Sequence, residues 1–159
     1  MKLYVRESDS SYRVASGDEI VDNAKSIIKK KLMRVGKVAS PNEAKEFLML
    51  QLGDLEHEVF ACLFLDNRHQ ILAFEELFKG TINSSAVYPR EVMKRVLHHN
   101  AVSVIFAHNH PSGYIAPSTS DINITKVLVD ALKLIDVNVL DHIIVGKGEC
   151  LSMREMSLI

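Results

Sequence analysis

The stretch VSVIFAHNHPSGYIAPSTSDINITKVLVDALKL spans residues 102–134 and decides the fold of this chain. It begins with an apolar run, residues 102–107, which predicts a buried strand and ends in His108-Asn109-His110. A loop containing proline and glycine follows, and a helix is predicted from Ser118 because apolar residues recur at spacings of three and four. The predicted buried face of this helix comprises Ile124, Val127, Leu128, Ala131, Leu132 and Ile135.

Three side chains in this stretch are candidate metal ligands. Side chains alternate along a strand, so His108 and His110 are expected on one side of the strand end and Asn109 on the other. Asp121, in the first turn of the predicted helix, can return across the loop 111–117 as a third ligand. Zinc in catalytic sites usually takes three protein ligands from nitrogen, sulfur or carboxylate oxygen. The order strand, loop, helix therefore favours a metal site at this strand end.

A purely structural explanation of the same residues stays open at this point. Ser118-x-x-Asp121 is close to a capping box, and an acidic residue at a helix start is favourable without any metal. His108 and His110 could be exposed loop residues, because Asn-His-Pro-Ser-Gly has the composition of a turn.

The composition of the chain bounds its class. It has 159 residues, of which 47% are hydrophobic and 25% charged, as expected for one folded core and not for a disordered chain. A formal net charge of −1 provides no overall field that would draw the chain onto nucleic acid. No apolar run is long enough for a membrane span, and Arg6, Glu7 and Asp9 interrupt the region where a secretory signal would have its apolar core. We therefore expect a cytoplasmic protein in which Cys62 and Cys150 are reduced.

Residues 1–37 are predicted to be an N-terminal extension, ahead of a compact domain that spans residues 38–159. Within the extension, Ser16 and Glu19 form a capping-box pattern that starts a helix ending near Gly36. Its outer face and end are basic, as in a solvated helix face or in a patch that binds nucleic acid or an acidic partner. The basic residues are Lys25, Lys29, Lys30, Lys31, Arg34 and Lys37.

The rest of the domain alternates between helical and strand-like patterns. One helix is capped by Ser40 and closes at Gly53, and another runs from Pro89 to Asn100. Strand-like runs cover residues 59–66, 71–79, 137–145 and 150–153. This interleaving predicts the α/β (α+β) class, with a single mixed sheet flanked by helices.

The spacing His108-x-His110, seven residues, Ser118-x-x-Asp121 is the full pattern of the JAMM (MPN-plus) metalloprotease domain, which this chain resembles. The surrounding HNHPSG, PSTSD, YPREVM and LDHIIVG are similar to the RadC-like bacterial branch of that family, and the resemblance covers residues 38–159. It implies a JAMM/MPN-like fold with cytidine deaminase-like layering. It also implies a zinc-dependent peptidase or isopeptidase acting on a protein or peptide substrate.

The resemblance assigns a role to each motif residue. His108, His110 and Asp121 are the implied Zn²⁺ ligands, Zn²⁺ activates water to attack a peptide carbonyl, and Ser118 is implied to stabilise the tetrahedral intermediate. The family also uses an upstream glutamate as general base, for which the candidates are Glu58, Glu75 and Glu76. Glu58 is favoured because it stands at a strand entry, similar to the position of the base in family members; the other explanation is a solvated strand-entry residue.

Two further expectations remain as alternatives. Longer RadC proteins carry a helix-hairpin-helix DNA-binding region, and residues 1–37 lack its paired glycine-containing hairpin, so this chain resembles a short form in which DNA is a weaker candidate partner. The alternative function is a non-catalytic interaction module associated with DNA repair or mobile-element biology.

The pair Asp141-His142 lies in a predicted strand, where it either orients a ligand histidine or forms a structural hydrogen bond.

Overall fold

The structure is a computed structural model that describes residues 2–35, 40–80 and 87–159, with the segment 29–35 described as backbone. Its elements follow one another along the chain in an order that interleaves strands and helices. They are β1 (Tyr4–Arg6), β2 (Tyr12–Val14), α1 (Gly17–Val35), α2 (Pro41–Leu52), β3 (Val59–Leu65), β4 (Ile71–Lys79), α3 (Pro89–His98), β5 (Ser103–Asn109), α4 (Thr119–Lys133), β6 (Asn138–Val145) and β7 (Cys150–Ser152).

The main sheet has five strands in the order β4-β3-β5-β6-β7. Strand β5 pairs parallel with β6, while the other neighbours pair antiparallel. The predicted α/β class with a mixed sheet is therefore confirmed, and the stretch quoted above supplies the central strand. Strands β1 and β2 form a separate two-stranded sheet near the N-terminus, so the main sheet is accompanied by a small second one.

Helices cover both faces of the main sheet, because alternate side chains of its strands point to opposite sides. Strand β3 is buried along its whole length, as its apolar run predicted. One face packs its apolar residues against α2, around Phe47 and Leu48. The other face packs against α3 and α4, around Val92, Val96 and Leu128.

The predicted helix starts are confirmed by hydrogen bonds. Ser16 and Glu19 form the reciprocal capping box of α1, with the Ser16 Oγ accepting from Glu19 N and Glu19 Oε2 accepting from Ser16 N. The Ser40 hydroxyl accepts from the backbone at the start of α2. Asn100 has a φ of +51°, the left-handed conformation predicted for the end of α3.

The predicted buried face of α4 is wrong at one position. Val127 is 49% exposed, whereas Thr125 is fully buried on the stripe that it shares with Leu128 and Leu132. Residues 125, 128 and 132 lie three and four apart and therefore share one face, while residue 127 lies about 100° around the helix from residue 128.

The N-terminal basic patch lies mostly outside the described residues. The side chains of residues 29–31 and Arg34, and the whole of Lys37, belong to that part, so the patch stays a prediction, as does the boundary between residues 37 and 38. Lys25 forms an ion pair with Asp54, with 3.4 Å between Nζ and Oδ2. In helix α1, Ile28 packs against the core beneath α2.

Cys62 and Cys150 are both free thiols, as expected, and Cys62 is fully buried. Across the described ranges, none of the helices has the length and apolar character needed to cross a membrane.

Candidate metal centre

The end of the central strand β5 brings the two motif histidines together. His108 and His110 lie on the sheet face that carries α3 and α4, with only 2.9 Å between their Nε2 atoms. The backbone N–H of His110 donates to Val145 O at 2.8 Å and so extends the β5–β6 ladder past Asn109. Because the ladder continues, His110 keeps the strand alternation and the two imidazoles point to the same side, as predicted.

The first turn of α4 brings Asp121 to the same point. Its Oδ1 lies 3.4 Å from His108 Nε2 and its Oδ2 lies 3.6 Å from His110 Nε2. The same carboxylate completes the α4 capping box, because Oδ2 accepts from Ser118 N at 2.7 Å while Ser118 Oγ accepts from Asp121 N at 3.1 Å. The sequence left open whether Asp121 caps the helix or binds a metal. In the structure its carboxylate caps the helix and also lies close enough to both histidines to share a metal ion with them.

The neighbouring groups of the cluster shift the pKa values of His110 and Asp121. The nearby Asp121 carboxylate raises the pKa of His110 above its usual value, against the effect of partial burial, and the hydrogen bond to Tyr114 O raises it further. Burial raises the pKa of Asp121, but the neighbouring imidazoles of His108 and His110 and the hydrogen bond from Ser118 outweigh it and hold that pKa well below its ordinary range. Asp121 is therefore a carboxylate at neutral pH.

The donor set fits a zinc ion. One ligand atom from each of His108, His110 and Asp121 lies within 4.8 Å of the other two, and two imidazole nitrogens with one carboxylate oxygen is a set used by catalytic zinc sites. His110 Nδ1 lies 2.5 Å from Tyr114 O, which can only accept, so Nδ1 carries the proton and neutral His110 presents a lone pair at Nε2. That lone pair faces His108 Nε2, a close approach that a shared cation makes favourable.

Two buried residues, His142 and Thr125, form a chain of contacts that begins at Nδ1 of His108. His142 of β6 and Thr125 of α4 are both fully buried, and His142 Nε2 lies 2.8 Å from His108 Nδ1. On its other side, His142 Nδ1 lies 2.6 Å from Thr125 Oγ1. Complete burial, with a smaller contribution from His108, lowers the pKa of His142 well below its usual value, so this ring is neutral.

Asp141 and His142, which are adjacent in the sequence, make different contacts. The ring of His142 contacts His108, which is the arrangement that one of the two sequence hypotheses required. Asp141 instead has a structural role, since its carboxylate accepts from Ser152 Oγ at 2.6 Å and from the backbone N–H groups of His142 and Arg154. Thr125 was missed by the sequence reasoning; the available signal was a hydroxyl residue on the otherwise apolar stripe of α4.

Glu58 lines the same cleft as the motif residues. The cleft has a volume of about 490 Å³, and its walls are formed by Glu58, Phe60, Val87, His108, His110, Ser118, Ser120, Asp121, Ile124 and His142. Strand register explains this position: Phe60 pairs with His108, so Glu58, two residues before Phe60, projects to the same face just beyond the histidine.

The other two candidate glutamates lie in a different part of the molecule. Glu75 pairs in register with Cys62 on the edge strand β4, and Arg95 Nε donates to its Oε2 at 2.7 Å. This hydrogen bond, together with one from His99, lowers the pKa of Glu75 to about 2, against an opposing effect of burial. Glu76 forms an ion pair with Lys79. Both glutamates line a pocket separate from the cleft of the histidines.

Asn109 holds the segment that carries Glu58. Its side chain points to the opposite face from the histidines and is buried, with Oδ1 accepting from Val59 N at 2.8 Å. Its Nδ2 donates to Leu55 O at 3.2 Å and to His57 O at 3.0 Å. The residues on both sides of Glu58 are thus tied to the strand that carries the candidate ligands.

The fold and the cluster define the class of this protein, an α/β domain with a candidate metal centre at the end of its central strand. The chain belongs to the RadC-like JAB domain family, whose model matches residues 38–158. A UPF0758 protein of Pseudomonas syringae pv. tomato is 53% identical over 139 residues, which are 87% of this chain and 62% of that protein. A UPF0758 protein of Nitrosococcus oceani is 55% identical over 128 residues, 80% of this chain and 57% of that protein. The chain therefore spans about three fifths of the length of the curated relatives it matches.

Proposed function

We propose that this chain is a zinc-dependent hydrolase that cleaves peptide or isopeptide bonds. The observation that carries the proposal is that Glu58, a carboxylate, lines the same cleft as the cluster of His108, His110 and Asp121. Membership of the RadC-like JAB domain family supports it, because that resemblance implies a zinc peptidase.

Three side chains would hold the metal, namely His108, His110 and Asp121. When bound, Zn²⁺ supplies Lewis acidity, which favours the ionisation of water near neutral pH and polarises a carbonyl group. The capping box of α4 restrains the Asp121 carboxylate, and Tyr114 O restrains the ring of His110. These restraints reduce the entropy that the side chains lose when they bind an ion.

Glu58 is proposed as the general base. Its carboxylate oxygen would take a proton from the attacking water and then deliver that proton to the leaving nitrogen. Proton transfer of this kind requires a group within hydrogen-bond reach of the water, and Glu58 borders the cleft directly. The negative charge of Glu58 also contributes to the raised pKa of His110, in agreement with their proximity.

Ser118 is proposed to donate a hydrogen bond to the oxygen that becomes negative during the attack. In this structure its hydroxyl donates to Asp121 Oδ2 at 2.6 Å. The hydroxyl has a single proton, so this role requires rotation of Oγ–H away from Asp121 when substrate is bound. Ser118 lies at the exposed rim of the cleft.

The proposal is tested by measuring zinc content and hydrolysis together. The chain is loaded with Zn²⁺, its metal content is measured by elemental analysis, and cleavage is followed on quenched fluorescent libraries of linear peptides and of lysine-linked isopeptides. Stoichiometric zinc with chelator-sensitive cleavage supports the proposal. Stoichiometric zinc with no cleavage of either library contradicts it and favours the interaction module.

The alternative function is a non-catalytic module that recruits a protein partner or DNA. The absence of a candidate general base from the cleft would favour this alternative. Glu58 borders the cleft, which supports the hydrolase instead. The basic residues of the first helix that would contact DNA lie mostly outside the described residues, so DNA binding remains a prediction of the sequence.

We propose a cytoplasmic site of action, in agreement with the unpaired thiols of Cys62 and Cys150.

A further inference from the structure

A circuit of three hydrogen bonds joins two of the candidate metal ligands, Asp121 and His108, through Thr125 and His142, which are not candidate ligands themselves. Thr125 Oγ1 lies 2.5 Å from Asp121 O, the backbone carbonyl of one candidate ligand. The same oxygen lies 2.6 Å from His142 Nδ1, and His142 Nε2 lies 2.8 Å from Nδ1 of His108, another candidate ligand. The circuit passes through the buried interior between α4, β6 and β5.

The backbone carbonyl of Asp121 determines which groups donate and which accept along this circuit. A carbonyl oxygen can only accept, so the single proton of the Thr125 hydroxyl is directed to Asp121 O. Thr125 Oγ1 must then accept from His142, which places the His142 proton on Nδ1 and leaves Nε2 as an acceptor. His108 must in turn donate from Nδ1. A neutral His108 with its proton on Nδ1 has its lone pair on Nε2, the atom that faces His110 and Asp121.

We propose that Thr125, acting through His142, is a positioning residue that holds His108 in the tautomer able to bind the metal. The reverse direction of the circuit would put a proton on His108 Nε2 and block that atom as a ligand. The inference rests on the proposed zinc site, and it assigns Thr125 a function that neither the sequence motif nor the general architecture requires.

A buried threonine and histidine can also be explained as a satisfied pair in the core, as most buried polar groups are. That explanation predicts only a change in stability when Thr125 is replaced. A tautomer-setting role predicts in addition a change in the protonation pattern of the His108 ring and in zinc affinity. Hydrogen-bond partners behind metal ligands typically change metal affinity by 10- to 100-fold when they are removed.

The test compares three substitutions at one position. Thr125→Val removes the hydroxyl at nearly constant volume, Thr125→Ala removes it without placing a methyl group against the His142 ring, and Thr125→Ser keeps it. In the ¹⁵N-labelled metal-free protein, long-range proton–nitrogen NMR correlations report which nitrogen of each histidine carries the proton. Zinc affinity is measured by competition with a chromophoric chelator, and thermal unfolding reports whether each variant is folded.

The expected result is that wild-type His108 carries its proton on Nδ1, that Thr125→Val and Thr125→Ala lose this preference, and that both bind zinc at least about 10-fold more weakly. Thr125→Ser is expected to restore both readouts. An unchanged His108 tautomer with unchanged zinc affinity in folded Thr125→Val or Thr125→Ala overturns the inference while leaving the zinc site intact. Absence of zinc binding in the wild type would overturn the proposed function instead, and the tautomer comparison would still decide this inference.

Discussion

Asn109 holds Val59 in place by accepting a hydrogen bond from its backbone N–H at 2.8 Å, from the opposite face of the sheet to the candidate metal centre. The Asn109 amide also donates to Leu55 O and His57 O, so it spans the segment in which Glu58 lies. The middle residue of the His-Asn-His motif therefore connects the strand of the candidate ligands to the candidate base.

Replacing Asn109 by Ala should reduce hydrolysis without removing zinc. The backbone groups of Val59, Leu55 and His57 would lose buried partners, at a cost of about 1–3 kcal/mol for each group that stays unpaired. Zinc content is measured by elemental analysis and stability by urea unfolding. The control is Asn23→Ala, because Asn23 is exposed and its side chain donates to Glu19 O within helix α1. A fall in zinc content matching the fall in activity would show that Asn109 acts on the ligands and not on Glu58.

Replacing His110 or Asp121 by Ala should abolish stoichiometric zinc binding, because each variant leaves two of the three candidate ligands. Elemental analysis of the purified variants provides the measurement. His98→Ala is the matched control, since His98 is exposed on α3 and should leave the zinc content unchanged. Wild-type zinc content in either ligand variant would rule out the metal centre.

Glu58→Gln should keep zinc but lose about 100-fold or more in kcat, since proton transfer by a positioned carboxylate contributes about 10²- to 10⁴-fold. Glu75→Gln provides the matched control, because Glu75 is bound to Arg95 and borders a different pocket. The two variants are compared at equal zinc loading on the same substrate. Equal activity of Glu58→Gln and the wild type would remove Glu58 as the base.

Ser118→Ala should lower both stability and activity, whereas Ser40→Ala should lower only stability. Each serine accepts a hydrogen bond from the backbone at the start of its helix, and loss of such a cap costs about 0.5–2 kcal/mol. Only Ser118 lines the cleft of the candidate metal centre. Urea unfolding and steady-state kinetics on both variants separate the two effects. If kcat falls equally in both variants, Ser118 has no role beyond its cap.

The stabilisation by Glu75 should disappear in acid. Hydrogen bonds with Arg95 and His99 lower the pKa of Glu75 from 4.5 to about 2 in the folded protein. A lowered folded pKa stabilises the protein above the unfolded value near 4.5, and that contribution is lost as pH falls towards 2. The difference in unfolding free energy between wild type and Glu75→Gln should therefore shrink between pH 6 and pH 2.5, measured by urea unfolding. A difference that grows in acid would contradict the ion pair.

Much of the secondary structure was readable from local patterns. Capping boxes at Ser16 and Ser118, the cap at Ser40 and the left-handed Asn100 are short-range features, and their hydrogen bonds form within a few residues of the chain. The error at Val127 has the same origin, since apolar character alone does not say which of two neighbouring helical positions faces the core.

By itself the sequence determined the strand, loop and helix of residues 102–134, and with them the pairing of His108 with His110 on one side of a strand end and the nearby Asp121. These relations follow from the periods of the strand and the helix, which are local properties. Only the tertiary structure placed Glu58 in the cleft of the histidines and Glu75 in a different pocket, and only it brought His142 and Thr125 next to His108 and Asp121. Those contacts depend on β3 and β6 flanking β5 in a particular register, and backbone hydrogen bonds alone would permit other strand orders and registers. Burial of both faces against α2, α3 and α4 selects the order that forms.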